Sequence, residues 1–77
     1  IHIRSNKGLM NKQSHLKILD LSLNNLDDQN IKNINFNSIE NLIYLNISFN
    51  NLSKLNSLIF KDLKRLVILD LSFNRIK

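Results

Sequence analysis

The chain repeats one pattern three times: LKILDLSLNNL at residues 16–26, LIYLNISFNNL at 42–52 and LVILDLSFNRI at 66–76. Each copy fits LxxLxLxxNxL, with aliphatic residues at the first, fourth, sixth and eleventh places and asparagine at the ninth. The copies begin 26 and 24 residues apart. A fixed period in this range is typical of solenoid proteins, in which each repeat is one structural unit stacked on the next. The sequence therefore predicts a repeat architecture.

Apolar and polar residues alternate within each copy, which predicts a short strand. Strands centred on residues 18–22, 44–48 and 68–72 would stack as a parallel sheet with neighbours about 4.8 Å apart. One face of this sheet is the predicted core and the other lines a concave surface. The residues that we expect to be buried are Leu19, Leu21, Leu45, Ile47, Leu69 and Leu71.

The second copy continues with NLSKLNSLIFKDLKR at residues 51–65, which has Leu55, Phe60 and Leu63 at the fourteenth, nineteenth and twenty-second places. The whole pattern resembles the leucine-rich repeat family, and within it the typical 24-residue subtype of Toll-like receptors and other extracellular proteins. That subtype usually has proline after the fourteenth place, where this chain has Asn56. The resemblance covers residues 16–77. It implies an α/β solenoid: a right-handed superhelix with short parallel strands on the concave face and irregular or short-helical segments on the convex face.

The resemblance also assigns structural roles to two sets of residues. Asparagines 24, 50 and 74 mark the points where the chain leaves the strands, so an inward amide can pair with backbone groups that lose their sheet partners. The family implies that Asn24, Asn50 and Asn74 form a hydrogen-bonded ladder. Phe36 and Phe60 each lie six residues before a consensus leucine and are expected to stack in the core, with Met10 at the equivalent earlier place.

The repeat boundaries follow from these matches. We predict repeats at 16–41 and 42–65 and a truncated repeat at 66–77, all in one uncapped solenoid domain that is a fragment of a longer protein. The first repeat is two residues longer, and the insertion falls between Leu26 and Phe36. Residues 1–15 form either a partial, degenerate preceding repeat or an accidental match. Asn6 fits the ladder place, but only 18 residues separate it from Asn24.

Composition excludes several function classes. The net charge is +5, but the basic residues are scattered and no run is longer than Lys64-Arg65. We therefore expect a solvated surface and no nucleic-acid partner. No stretch approaches the roughly 20 apolar residues of a membrane span, so we expect no membrane contact by this segment. The chain has no cysteine, which excludes disulfides and cysteine-ligated zinc within it.

No group of residues predicts catalysis or cofactor binding. His2 and His15 are far apart in the sequence, whereas a metal site needs three or four convergent ligands. Asp20 and Asp70 lie two strand spacings apart, about 10 Å, which is just beyond the range of glycosidase carboxylate pairs. The chain has a single glycine, Gly8, and hence no glycine-rich phosphate loop. We expect neither an enzyme nor a cofactor or metal site.

The predicted concave face is the better candidate for function. Leucine-rich repeats generally bind proteins through this face, and exposed apolar side chains among polar ones suit such an interface. Ile18, Tyr44 and Ile68 are the face residues that the repeat consensus explains least. The predicted protein-binding residues are Ile18, Asp20, Tyr44, Asn46, Phe49, Ile68, Asp70 and Phe73.

Two N-glycosylation sequons are present, at Asn46-Ile47-Ser48 and Asn51-Leu52-Ser53. The first is built from consensus places, and a glycan on Asn46 would obstruct the concave sheet. Both sequons are therefore slight evidence for secretion.

Three classes of parent protein are consistent with this module. The typical-subtype repeat favours a receptor-like or secreted protein and therefore an extracellular location. The expected partners are a protein ligand and the flanking repeats of the same chain. An intracellular scaffold or regulatory subunit, such as the leucine-rich regulators of phosphatases, is the alternative, although those proteins favour repeats near 22 residues. The third class is a larger enzyme, such as a kinase or ubiquitin ligase, that uses the repeats as a targeting domain.

Overall fold

The structure, a computed structural model, describes residues 15–76. This part of the chain forms one parallel sheet of three strands, β1 (Ile18–Asp20), β2 (Tyr44–Asn46) and β3 (Ile68–Asp70), in the order β1-β2-β3. Equivalent places of the repeats lie side by side, with Ile18 opposite Tyr44 and Tyr44 opposite Ile68. The predicted parallel sheet is therefore confirmed.

The strands are shorter than predicted, but backbone pairing continues beyond them. The Leu21 N–H donates to the Asn46 carbonyl at 2.7 Å, and the Ile47 N–H donates to the Asp70 carbonyl at 2.8 Å. The chain then bends, because Leu23 and Phe49 adopt φ angles of 59° and 57°, far from those of a strand. The chain thus turns out of the sheet shortly after each of these strands.

Three short 3-10 helices occupy the connections in the described chain: η1 (Asn30–Asn33), η2 (Phe36–Ser38) and η3 (Ser57–Phe60). The longer first repeat contains two of them and the second repeat contains one. The Asn56 side chain accepts a hydrogen bond from the Leu58 N–H at 3.0 Å and so caps the start of η3. Asparagine therefore starts this helix at the place where the typical subtype has proline.

The core lies between the sheet and these helices. Its buried apolar residues are Leu19, Leu21, Ile31, Phe36, Ile39, Leu42, Leu45, Ile47, Leu52 and Leu63. Leu69 and Leu71, which were predicted to be buried, are only half-buried. The prediction was wrong for this pair because no described turn packs on the far side of β3.

Phe36 and Phe60 contact each other as expected, but their rings are not stacked. Their centroids lie 5.4 Å apart and their planes meet at 59°. A tilted pair of this kind directs the positive edge of one ring toward the negative face of the other. Phe36 is buried, whereas Phe60 is half-buried.

Several predictions fall outside the described residues. They concern Asn6, Met10 and His2 in the partial repeat at the start of the chain, and the last residue, Lys77. Within residues 15–76, no helix is long and apolar enough to cross a membrane.

Candidate functional site

The outward side of the sheet carries the third, fifth, seventh and eighth residues of each repeat, and we call this surface the sheet face. The alternation of the strands turns the third and fifth residues away from the core, whereas the eighth residues have positive φ angles and are exposed at the turn. The sheet face consists of Ile18, Asp20, Ser22, Leu23, Tyr44, Asn46, Ser48, Phe49, Ile68, Asp70, Ser72 and Phe73. Ser48, in the middle repeat, is nevertheless buried.

An apolar strip runs along the starts of the strands. Ile18 is 63% exposed and Ile68 is 49% exposed, whereas Tyr44 between them is half-buried. The residues immediately before the strands extend this strip, since Ile43 and Val67 are also exposed. Sequence analysis missed these two residues because the second place of the repeat has no consensus character.

A polar row formed by Asp20, Asn46 and Asp70 lies beside that strip. Each side-chain oxygen accepts a hydrogen bond from the backbone N–H two residues later, at 2.9, 2.9 and 3.0 Å respectively. Hydrogen bonds from the Ser22 hydroxyl and N–H lower the pKa of Asp20, and the equivalent bonds from Ser72 lower the pKa of Asp70. Both carboxylates are therefore charged at neutral pH.

A second apolar strip, formed by Leu23, Phe49 and Phe73, lies where the chain leaves the strands. We call it the exit strip. The Phe49 and Phe73 rings are stacked, with centroids 4.4 Å apart and planes 7° apart. All three residues have φ angles near +57° to +59°, a left-handed conformation that costs a residue with a Cβ atom roughly 1–2 kcal/mol. Leu23 and Phe73 are nevertheless 71% exposed.

The asparagine ladder lies directly behind the exit strip. Asn50 Oδ1 accepts hydrogen bonds from the backbone N–H groups of Asn24 and Leu26 at 3.0 and 2.8 Å. Its Nδ2 donates to the carbonyls of Leu21 and Ile47 at 3.0 Å and of Ser48 at 3.1 Å. One amide thus joins its own repeat to the preceding one.

Asn74 repeats this arrangement one turn later. Its Nδ2 donates to the Ile47 and Leu71 carbonyls at 2.9 Å, and its Oδ1 accepts from the Leu52 N–H at 3.0 Å. In the first repeat, Asn24 Nδ2 donates to the Ser22 carbonyl at 3.0 Å. The ladder therefore holds the turn that supports the exit strip.

The family model for leucine rich repeats matches residues 14–76, most of the chain. The chain belongs to the leucine-rich repeat family. Its repeats, its parallel sheet and its asparagine turns are those of a solenoid fold, and modules of this family typically mediate protein–protein interactions without catalysing a reaction. No curated protein and no solved structure matches the chain.

A shallow groove of about 460 Å³ lies beside the exit strip of this leucine-rich repeat domain. It is lined by Leu23, Asn25, Phe49, Asn50, Asn51 and Arg75. A smaller groove of about 260 Å³ is polar and is lined by Asn37, Glu40, Asp62 and Lys64. The first groove thus adjoins the exit strip, and Arg75 gives it a positive charge.

Asp28 joins two repeats, which sequence analysis did not foresee. Its carboxylate accepts hydrogen bonds from the Ser53 N–H at 3.0 Å, the Ser53 hydroxyl at 2.8 Å and the Lys54 N–H at 2.9 Å. The Lys54 and Ser53 backbone bonds, followed by the Ser53 hydroxyl, lower the pKa of Asp28. Nothing in the sequence shows that residues 25 positions apart meet.

The two sequons lie in different surroundings. Asn46 is part of the polar row, and the serine of its sequon, Ser48, is only 5% exposed. Asn51 is exposed on the turn, and the hydroxyl of Ser53 is bound to Asp28 at 2.8 Å. A glycan on Asn51 would occupy the groove beside the exit strip, whereas one on Asn46 would cover the polar row.

Residues 15–76 contain no group of three or more histidine or acidic side chains arranged to hold a metal ion. His15 is exposed. The sheet face itself presents aliphatic, aromatic, hydroxyl, amide and carboxylate groups. This chemistry is suited to contact with another macromolecule.

Proposed function

We propose that this leucine-rich repeat domain binds a protein ligand through its sheet face, on the concave side of a right-handed superhelix. The observation that carries the proposal is the exposure of large apolar side chains on a surface built from rigid backbone. Phe49 has a described repeat on each side and is still 50% exposed, although burying such a side chain is worth about 1.5–3 kcal/mol. A partner that covers it gains this free energy.

The rigidity of the surface favours binding. The sheet and the asparagine ladder already hold the backbone, so association would order little of the chain and would cost correspondingly little entropy. Exposed apolar groups with polar groups around them are typical of a protein interface, which has an apolar centre and a polar rim. The proposed contact residues are Ile18, Asp20, Tyr44, Asn46, Phe49, Ile68, Asp70 and Phe73.

We also propose a receptor-like or secreted parent protein. The support is the 24-residue second repeat, in which Leu55 and Phe60 pack against the core and Leu63 is part of it. This is the arrangement expected for the typical subtype of extracellular leucine-rich repeats. Labelling of intact cells with a membrane-impermeant reagent tests the location, and labelling of the full-length gene product only after lysis would contradict it.

Site-specific photo-cross-linking tests the binding function. The full-length gene product is produced in its own cells with p-benzoyl-phenylalanine in place of Tyr44 on the sheet face. The matched control carries the same group in place of Lys61, an exposed residue directly after η3 on the convex side. We expect one discrete cross-linked protein from position 44 and none from position 61.

The cross-link must also be specific. An excess of the unmodified protein should compete it away, because both forms occupy the same site on the partner. Cross-linking of equal yield from both positions, or from neither, would contradict a protein interface on the sheet face.

A further inference from the structure

Apolar and polar rows of side chains follow one another across the sheet face in the direction of the strands. Moving from the starts of the strands toward their ends, it presents an apolar strip, then the polar row, then the exit strip. Ile18 and Ile68 belong to the first strip and the stacked Phe49–Phe73 pair belongs to the last. A bound segment that follows this order would place apolar groups on both sides of a central group facing the polar row.

The charge of the sheet face is opposite to that of the whole chain. Asp20 and Asp70 are its only charged residues, although the chain has a net charge of +5. The basic residues of the described chain all lie at other places of the repeats: Lys17, Lys32, Lys54, Lys61, Lys64, Arg65 and Arg75. None of these basic residues lies on the sheet face, although Lys17 holds the same place of the repeat as Ile43 and Val67, and Arg75 lines the groove beside the exit strip.

We propose that the protein segment recognised by the sheet face carries an arginine or lysine flanked by apolar side chains, with the cation seated over Asn46 between Asp20 and Asp70. The inference rests on the proposed function and specifies the chemistry of its partner. Neighbouring strands lie about 4.8 Å apart, so a group above Asn46 is about 5 Å from each aspartate row position. A long basic side chain reaches both carboxylates from there.

The surroundings of the two carboxylates strengthen their attraction for a cation. Hydrogen bonds from Ser22 and Ser72 hold the carboxylates in place and keep them ionised. When apolar groups of the partner cover the strips on either side, water leaves the row and the effective dielectric constant falls. Charge pairing and apolar burial therefore support each other on this face.

Asn46 shows which substitution would remove a charge from the polar row without disturbing its hydrogen bonds. Asn46 makes the same hydrogen bond to the N–H two residues later as Asp20 does, at 2.9 Å in both cases. Replacing aspartate by asparagine in this row therefore removes the charge and keeps the backbone contact. The opposite substitution, Asn46→Asp, adds a third carboxylate at the centre.

The test begins with a random 12-residue peptide library displayed on phage and selected on the chain. We expect the enriched peptides to contain arginine or lysine with apolar neighbours. The best peptide is then synthesised with a fluorescent label, and its affinity is measured by fluorescence anisotropy. We expect the Asp20→Asn, Asp70→Asn double variant to bind it at least about tenfold more weakly, and Asn46→Asp to bind it more tightly.

The control variant is Glu40→Gln, Asp62→Asn, which changes the net charge equally but lies in the small polar groove. Its affinity should change by less than about twofold, since its charges are remote from the sheet face. Enrichment of acidic peptides, which would point to Arg75, enrichment without charge preference, or no enrichment would each overturn the proposal. So would equal weakening by both double variants.

A further variant separates this proposal from the broader one. If Phe73→Ser weakens peptide binding but the Asp20→Asn, Asp70→Asn double variant does not, the sheet face binds proteins but the proposal that the bound segment is cationic is wrong. If neither variant weakens binding, the proposed function of the sheet face is wrong as well.

Discussion

The exit strip and the asparagine ladder consist of adjacent residues with opposite surroundings. Leu23, Phe49 and Phe73 are apolar and exposed. The asparagine that follows each of them directs its side-chain amide inward, where it binds backbone carbonyls. Ranking these residues by hydropathy would place the phenylalanines inside and the asparagines outside. The difference between the two regions shows which physical demand prevails where a strand ends.

Hydrogen bonding prevails over apolar burial at this point. Asn50 serves five backbone groups, and each would cost about 1–3 kcal/mol if it were buried without a partner. Burial of Phe49 would gain only about 1.5–3 kcal/mol. Even with the roughly 1–2 kcal/mol cost of the left-handed conformation, the inward amide is favoured.

The largest effect should follow from removing the ladder amide. In Asn50→Ala the backbone groups of two repeats lose their partners, so we expect a loss of at least about 3 kcal/mol, a large share of the 5–15 kcal/mol or so that stabilises an ordinary domain. Urea unfolding followed by circular dichroism measures the change. Asn51→Ala is the control, since Asn51 is exposed and the substitution should cost less than about 0.5 kcal/mol. Equal stability of the two variants would remove the distinction between the two regions.

Loss of the Asp28 contact should have the next largest effect. Asp28→Ala leaves two backbone N–H groups of the second repeat without their acceptor, so we expect a lower Tm at neutral pH. The pKa of Asp28 is lowered in the folded state from its ordinary value of 3.8. Its stabilising contribution is therefore fully present above that value and is lost as the pH falls further.

The pH dependence provides the internal control for this variant. The difference in Tm between the unmodified chain and Asp28→Ala should shrink as the pH is lowered below 3.8. A difference that stayed constant down to pH 2 would show that packing of the loop, rather than the ionised carboxylate, joins the repeats.

A smaller effect of the opposite sign is expected at the exit strip. Leu23→Asn places a residue that tolerates positive φ at an exposed left-handed position, so it should raise the free energy of unfolding by about 0.5–1 kcal/mol. Leu23→Ala is the control, because alanine keeps the Cβ atom and its steric penalty. If alanine stabilised the chain as much as asparagine does, backbone strain would not explain the gain.

The smallest effect on stability should come from the strip at the strand starts. Tyr44 is the exception in this strip, because it is half-buried and Tyr44→Ala will lower the Tm measurably. Ile18→Ala is the cleaner change, because Ile18 is 63% exposed and the cost should stay below about 0.5 kcal/mol. Both should weaken partner binding, whereas Lys61→Ala should change neither binding nor Tm. Unchanged binding in Ile18→Ala would confine the interface to the exit strip.

Sequence alone predicted the features that recur in every repeat. The strands, their register and the burial of Leu19 and Leu45 follow from the spacing of aliphatic residues, because that spacing satisfies the same local geometry each time. The sequence could assign the exposed apolar residues to places of the repeat, but it could not predict the exposed fraction of each side chain. The half-burial of Tyr44, for example, depends on its neighbours. The proposed contact residues remain predictions.

Features that depend on contacts between different repeats were beyond the sequence. The tilt between the rings of Phe36 and Phe60 is one such feature, since the two rings belong to different repeats. The half-burial of Leu69 depends on what packs beside β3. The hydrogen bonds from Ser53 to Asp28 could be predicted only from the way in which one repeat packs on the next. No pattern within a single repeat contains this information.

The Asp28 contact means that the repeats are not interchangeable. Asp28 lies twelve residues after Leu16, and Lys54, which donates to it, lies twelve residues after Leu42. The same place therefore holds the acceptor in one repeat and a donor in the next. A duplicate of the second repeat inserted after itself would place lysine against lysine, with no carboxylate to receive the backbone. The contact between these two repeats thus depends on the carboxylate of Asp28 in the first of them, which limits how the domain can be lengthened by copying its second repeat.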